Sequence, residues 1–179
     1  MKIIGVTGMP GSGKGVVSGV ARNLGFEVVR MGDVIREESQ KRGSSMGETA
    51  IQLRKEHGEF VIAEKCIEKV KGLCNDKGNH PMIVIEGIRS PFEVEIFKRN
   101  FKDFKVLSVN SSPETRFKRL LSRKRADDSH IKSEFRKRDK RELKFGIGEV
   151  IATANFTVVN EGSKKRLMKI IRSILTNEM

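Results

Sequence analysis

The chain has 179 residues, a formal net charge of +13, 37% hydrophobic and 33% charged residues. That length suits one domain spanning 1–179 with an ordinary core, and the balance excludes a disordered or fibrous chain. No apolar run approaches the roughly 20 residues of a membrane span, and the run Met1–Val6 lacks the basic start and long apolar stretch of a secretion signal, so the expected location is the cytoplasm.

In chain order, Lys2–Thr7 is short, β-branched and stopped by glycine, which predicts a buried strand. Lys14–Leu24 reads as a helix ended by Gly25, and Phe26–Met31 as a second strand. From Gly32 to about Leu73 the pattern is mostly helical, with breaks at Gly43–Gly47 and at Gly58. Met82–Glu86 is a third strand after a Lys-Gly-Asn turn region, and Pro91–Phe101 a helix with proline in its first turn. Phe104–Asn110 predicts a fourth strand, and Ser112 to about Phe145 helix in two pieces. Phe156–Asn160 predicts the fifth strand and Ser163–Leu175 the last helix. Five β-rich runs separated by helices predict an α/β fold: a parallel sheet with helices on both faces. Ligands of such sheets sit beyond the carboxyl ends of the strands, and every motif below falls just after one.

The most specific motif is Gly8-Met9-Pro10-Gly11-Ser12-Gly13-Lys14-Gly15, between the first strand and the first helix. Glycines let the backbone fold tightly so that its N–H groups point at phosphate oxygens. The helix start adds the positive end of its dipole, and Lys14 can reach the β- and γ-phosphates of a nucleoside triphosphate. The position after the lysine commonly carries Ser or Thr to hold Mg²⁺; here Gly15 and Val16 stand instead. Glu86, at the end of the third strand, reads either as the carboxylate that holds Mg²⁺ through water or as a solvated strand-end charge.

Met31-Gly32-Asp33-Val34-Ile35-Arg36, Met46-Gly47, Gly58-Glu59-Phe60-Val61, Glu86-Gly87-Ile88-Arg89, and Arg125-Ala126-Asp127-Asp128 followed by Arg136 stand in order along the chain. Together with the Gly-rich loop they resemble the landmarks of the adenylate kinase and nucleoside-monophosphate kinase family, in an archaeal-type group related to it. The segment Ala154–Gly162 is similar to a closing strand and adenine loop also seen in dephospho-CoA kinases. The resemblance implies a three-layer P-loop kinase fold with sheet order 2-3-1-4-5, a helical acceptor-binding subregion at about 33–75 and a short lid at about 119–136. It implies an ATP-dependent phosphotransferase using Mg²⁺, with ATP and a small phosphorylated acceptor as partners and a nucleoside monophosphate as the acceptor. Alternatives are a dephospho-CoA-type or other small-molecule kinase, or a nucleotide-dependent ATPase or regulator.

Under that resemblance Lys14, Arg89, Arg123, Arg125 and Arg136 are catalytic, and residues 8–16 with Arg119, Asn160 and Gly162 bind ATP. Asp33, Arg36, Arg89 and Glu93 bind the acceptor, and Asp127 and Asp128 orient the lid arginines. Arginine suits the work because its fork clamps phosphate oxygens and stays charged. Glu93 stands where the family reads the acceptor base with glutamine; it also begins a helix, where an acid caps the backbone. Residues 116–141 hold 12 Lys or Arg against 4 Asp or Glu, so eight of the surplus positive charges lie there. Of these, Arg116, Lys118, Lys124, Lys132, Lys137, Arg138, Lys140 and Arg141 read as surface charge. A nucleic-acid partner for this block ranks last, because the charge coincides with the kinase-like lid and the chain has neither Trp nor Tyr for stacking. Cys66, Cys74 and the three scattered histidines form no metal spacing.

Overall fold

The computed structural model describes residues 2–76, 82–123 and 131–178. The elements, in order, are β1 (Ile3–Thr7), α1 (Lys14–Asn23), β2 (Glu27–Arg30), α2 (Met31–Arg42), α3 (Met46–His57), α4 (Val61–Asp76) and β3 (Ile83–Ile88). They continue with α5 (Pro91–Asn100), β4 (Lys105–Asn110), α6 (Pro113–Arg123), α7 (Lys132–Lys144), α8 (Ile147–Ala152), β5 (Phe156–Val159) and α9 (Lys164–Asn177). The five strands form one sheet in the expected order β2-β3-β1-β4-β5, with every pairing parallel. No described helix is long and apolar enough to cross a membrane.

Strand alternation builds two cores. Ile3, Ile83, Ile85 and Val106 face α2, α3, α4 and α5 on one side of the sheet. Ile4, Val6, Val84, Leu107 and Val158 face α1 and α9 on the other. Because successive side chains point to opposite faces, a strand covered on both sides reads as a continuous apolar run, as these do.

Two local differences from the sequence pattern shape the site. Met31 starts α2 instead of ending β2 and packs in the core. β3 runs on through Gly87 to Ile88, and its register with β1 slips there: Val6 faces Glu86, while Thr7 faces Ile88. Gly87 is the extra residue of this bulge, at φ 108°, a left-handed conformation open to glycine at little cost. The bulge turns the Glu86–Arg89 segment over the end of the sheet. α8, a single short helix carrying buried Ile147 and Val150, escapes sequence reading because six residues are too few to show a period.

Candidate active site

The Gly-rich loop crosses the carboxyl edge of β1 and opens α1. Gly13 is the residue before the helix, at φ 110°, and a Cβ there would collide with the Asn160 amide. That contact exists because Asn160 is buried after β5 and donates from Nδ2 to the Ser12 carbonyl at 2.8 Å. Arg119 donates to the Asn160 carbonyl at 2.9 Å and to Ser111 Oγ at 2.9 Å. Asn160 and Arg119 thus hold the loop from its far side, joining the ends of β4 and β5 to it.

Lys14 folds back onto its own loop, its Nζ donating to the carbonyls of Gly8 at 2.5 Å and Met9 at 3.2 Å. The ammonium is enclosed, and burial pushes it down from 10.5 to about 8; the Arg89 charge adds to the fall, while Glu86 and Glu142 oppose it.

The loop forms one wall of a cavity of about 730 Å³. Asp33 and Arg36 of α2, themselves an ion pair, stand on another wall with Arg30 and Met46. Glu86 and Arg89 come from the bulged end of β3, Arg119 and Arg123 from α6, and Arg138 and Glu142 from α7. Lys164 and Met168 of α9 complete the rim. Most sequence-read positions of the loop, with Arg36, Arg89, Arg119 and Arg123, therefore do converge. Gly162 lies apart, with Asn160, on a smaller cleft of about 170 Å³ beside the loop's far side.

Several positions stand elsewhere than the sequence indicated. Glu93 does not line the cavity. It is 1% exposed, and one oxygen accepts from the Arg89 and Ser90 N–H groups at 2.7 and 3.2 Å. Ser90 Oγ accepts in turn from the Glu93 N–H, completing a capping box at the start of α5. The other oxygen pairs with buried Arg54 of α3 at 2.7 Å. Arg54 also lies over the Phe145 ring, 4.5 Å from its centroid. Glu93 is a brace between α3 and α5, so the acceptor role given to it is corrected.

Arg116 and Arg138 are not surface charge. Arg116 is 3% exposed, donates to the Pro10 carbonyl at 3.1 Å, and grips Asp139 of α7 with both Nη atoms, at 2.8 and 2.5 Å. It also stacks over Phe135, 5.0 Å from the ring centroid. The phosphate loop and α7 are therefore tied through one guanidinium. Arg138, not exposed Arg136, is the α7 arginine on the cavity wall. Arg125, Asp127 and Asp128 lie outside the described residues.

Ser18 of α1, fully buried, donates its hydroxyl to Glu86, which also pairs with Arg30 at 3.4 Å. Neither Ser18 nor Arg30 was singled out in the sequence; position at the carboxyl end of β2 was the only signal for Arg30. Glu142 is the other residue missed. It is 1% exposed, lines the cavity, and lies 3.3 Å from Arg89 Nε.

Comparison with known proteins shows the family and the fold. The chain matches the AAA domain family over residues 7–134. Solved structures share the fold: a shikimate kinase from Acinetobacter baumannii (TM-score 0.59, 19% identity, 100% of this chain and 96% of that one) and a gluconokinase from Sinorhizobium meliloti (TM-score 0.60, 12% identity, 98% and 92%). The UPF0200 protein of Methanothermobacter thermautotrophicus is 54% identical over 98% of this chain and 90% of its own length. That of Pyrococcus furiosus is 44% identical over 97% and 96%. At such identity over nearly the whole length, the chain belongs to the UPF0200 family, built on a P-loop domain of the kinase fold.

Proposed function

We propose that the protein is an ATP-dependent kinase that moves the γ-phosphoryl group of ATP onto a small anionic acceptor. The observation that carries this is one cavity with a phosphate-binding loop and Lys14 on one wall and Arg36 and Arg89 on the others. Phosphoryl transfer asks chiefly for positioning and for neutralisation of charge on the transferring group. The loop N–H groups and Lys14 would hold the donor's β- and γ-phosphates, with Arg123 and Arg138 closing over the transferring group. Arg36 and Arg89 would hold an anionic group of the acceptor. Two acceptor classes share that recognition: a nucleoside monophosphate, which the resemblance to its kinases favours, and a hydroxyl-bearing anion, as in a dephospho-CoA-type kinase.

Magnesium is the implied companion of ATP. Glu86 fits a water-mediated role, because Ser18 and Arg30 already occupy part of its carboxylate while it still lines the cavity. Held there through water, Mg²⁺ would supply neutralisation of the charge that develops on the transferring group. Ser18 and Arg30 would keep the Glu86 carboxylate aimed.

The test is ADP release from ATP and Mg²⁺ over a panel of nucleoside monophosphates and hydroxylated anions. Acceptor-dependent ADP release that disappears in Lys14→Ala is expected. Slow hydrolysis that no acceptor changes would instead mark a nucleotide-dependent ATPase, the reading favoured by the missing loop hydroxyl.

A further inference from the structure

Glu142 is the acid of α7 that lines the cavity, the proposed donor and acceptor sites leave it without a task, and it sits among cations. Arg89 Nε lies 3.3 Å away and Arg141 Nη2 3.9 Å away. Lys14 and Arg138 share its cavity, and its charge acts on Lys14. Yet both Glu142 oxygens, buried, have no hydrogen-bond partner among the described residues. Buried carboxylate oxygens in folded proteins are normally satisfied, and one left open costs its full desolvation. The contrast with Glu93, four residues beyond Arg89 and filled on both oxygens, is direct. Among the described residues, Glu142 thus has unfilled hydrogen-bond acceptor capacity on the cavity wall beside the acceptor arginine.

Resting on the kinase reading above, we infer that Glu142 accepts the hydrogen bond, and then the proton, of an acceptor hydroxyl, so that the acceptor is a hydroxyl-bearing small anion and not a phosphate. A phosphate acceptor is already anionic at neutral pH. It has no proton that must leave, and it would meet Glu142 as a like charge next to Arg89. A hydroxyl offers the donor that the open oxygens lack. Arg89 has five N–H donors and lies 3.3 Å from Glu142 through Nε, so donors of its fork remain for the anionic group of the same acceptor. In the transfer, the acceptor hydroxyl oxygen bonds to the γ-phosphorus while the bond from that phosphorus to the β,γ-bridging oxygen breaks. ADP leaves, and the hydroxyl proton passes to Glu142, which returns it to solvent.

The experiment incubates the full chain with ATP, Mg²⁺ and two acceptor sets: AMP, GMP, CMP and UMP, against dephospho-CoA, shikimate and gluconate. Phosphorus NMR of the products tells a new phosphomonoester from a new phosphoanhydride. The expected result is a phosphomonoester from the second set. In Glu142→Gln its rate should fall by about 10²-fold or more, the usual contribution of a positioned base, while the variant still binds a non-hydrolysable ATP analogue. Glu142→Asp should recover part of the rate. A phosphoanhydride formed from the monophosphates, or a Glu142→Gln enzyme as fast as the parent, overturns the assignment but leaves the kinase reading standing. No transfer to either set above the Lys14→Ala control overturns both. Product class is read on the unaltered chain, so the inference is decided even if the variants fail to fold.

Discussion

Arg116→Ala removes the guanidinium that joins the phosphate loop to α7, and its consequence can be worked from its contacts. The side chain is 4% exposed and its partner Asp139 15% exposed. Truncation strands the Asp139 carboxylate against a vacated space, frees the Pro10 and Ser111 carbonyls, and removes the contact with Phe135. Breaking a buried pair by taking one partner costs roughly 3–5 kcal/mol, because the remaining charge is left uncompensated. For a domain of this size each kcal/mol shifts the midpoint by about 2–4 °C, so a fall of about 10 °C is expected in a thermal melt. Arg116→Lys keeps the charge but not the two-pronged grip, and should lie between. Lys118→Ala, two residues on and paired among the described residues with exposed Glu114, should change stability by less than about 0.5 kcal/mol. Since Pro10 belongs to the phosphate loop, Arg116→Ala should also weaken binding of an ATP analogue measured well below its midpoint. A melt within two degrees or so of the parent, set against the shift above, would refute the claim that this arginine is structural.

Two further outcomes follow from the same structure. The unfolded chain holds the Lys14 proton up to about 10.5 and the folded chain releases it near 8, so stability should rise with pH between those values. Phosphate in the loop favours the ammonium, so ATP-analogue binding should take up protons near pH 8 and weaken as pH rises through it, as calorimetry in buffers of different ionisation enthalpy will show; binding without proton uptake would contradict the placement of Lys14. Glu93→Ala should lower the melting midpoint substantially, since it strands buried Arg54 and opens the α5 cap, while leaving the order of preference among acceptors unchanged; a changed preference would return Glu93 to the acceptor site.

The sequence by itself determined the sheet and the donor loop. Ile3–Thr7, Ile83–Ile88 and Lys105–Asn110 are apolar on both faces, so they must be covered on both sides, and the intervening segments are long enough to be the crossover helices. The loop at 8–15 was legible because its requirements are local: glycine where the backbone turns, a lysine at fixed spacing, and a helix start. Arg36 and Arg89 were legible through the resemblance of their motifs, which follow β2 and end β3, to the landmarks of a kinase family. What only the tertiary structure decided is which charges of the basic segment turn inward. Arg116, Arg136, Arg138 and Arg141 look alike in a charge run, because periodicity tells which residues share a face but not what packs against that face. Phe135 and Asp139 select Arg116 for burial, and the pairing of α7 with the loop sets Arg138 on the cavity wall while Arg136 stays exposed. Glu93 and Glu142 show the same limit in acids. Each carries the same carboxylate; one meets a cap and a buried arginine 39 residues away in sequence, and the other is buried on the cavity wall beside Arg89 with no hydrogen-bond partner among the described residues. Long-range partners gave the two acids different roles, and no local pattern encodes them.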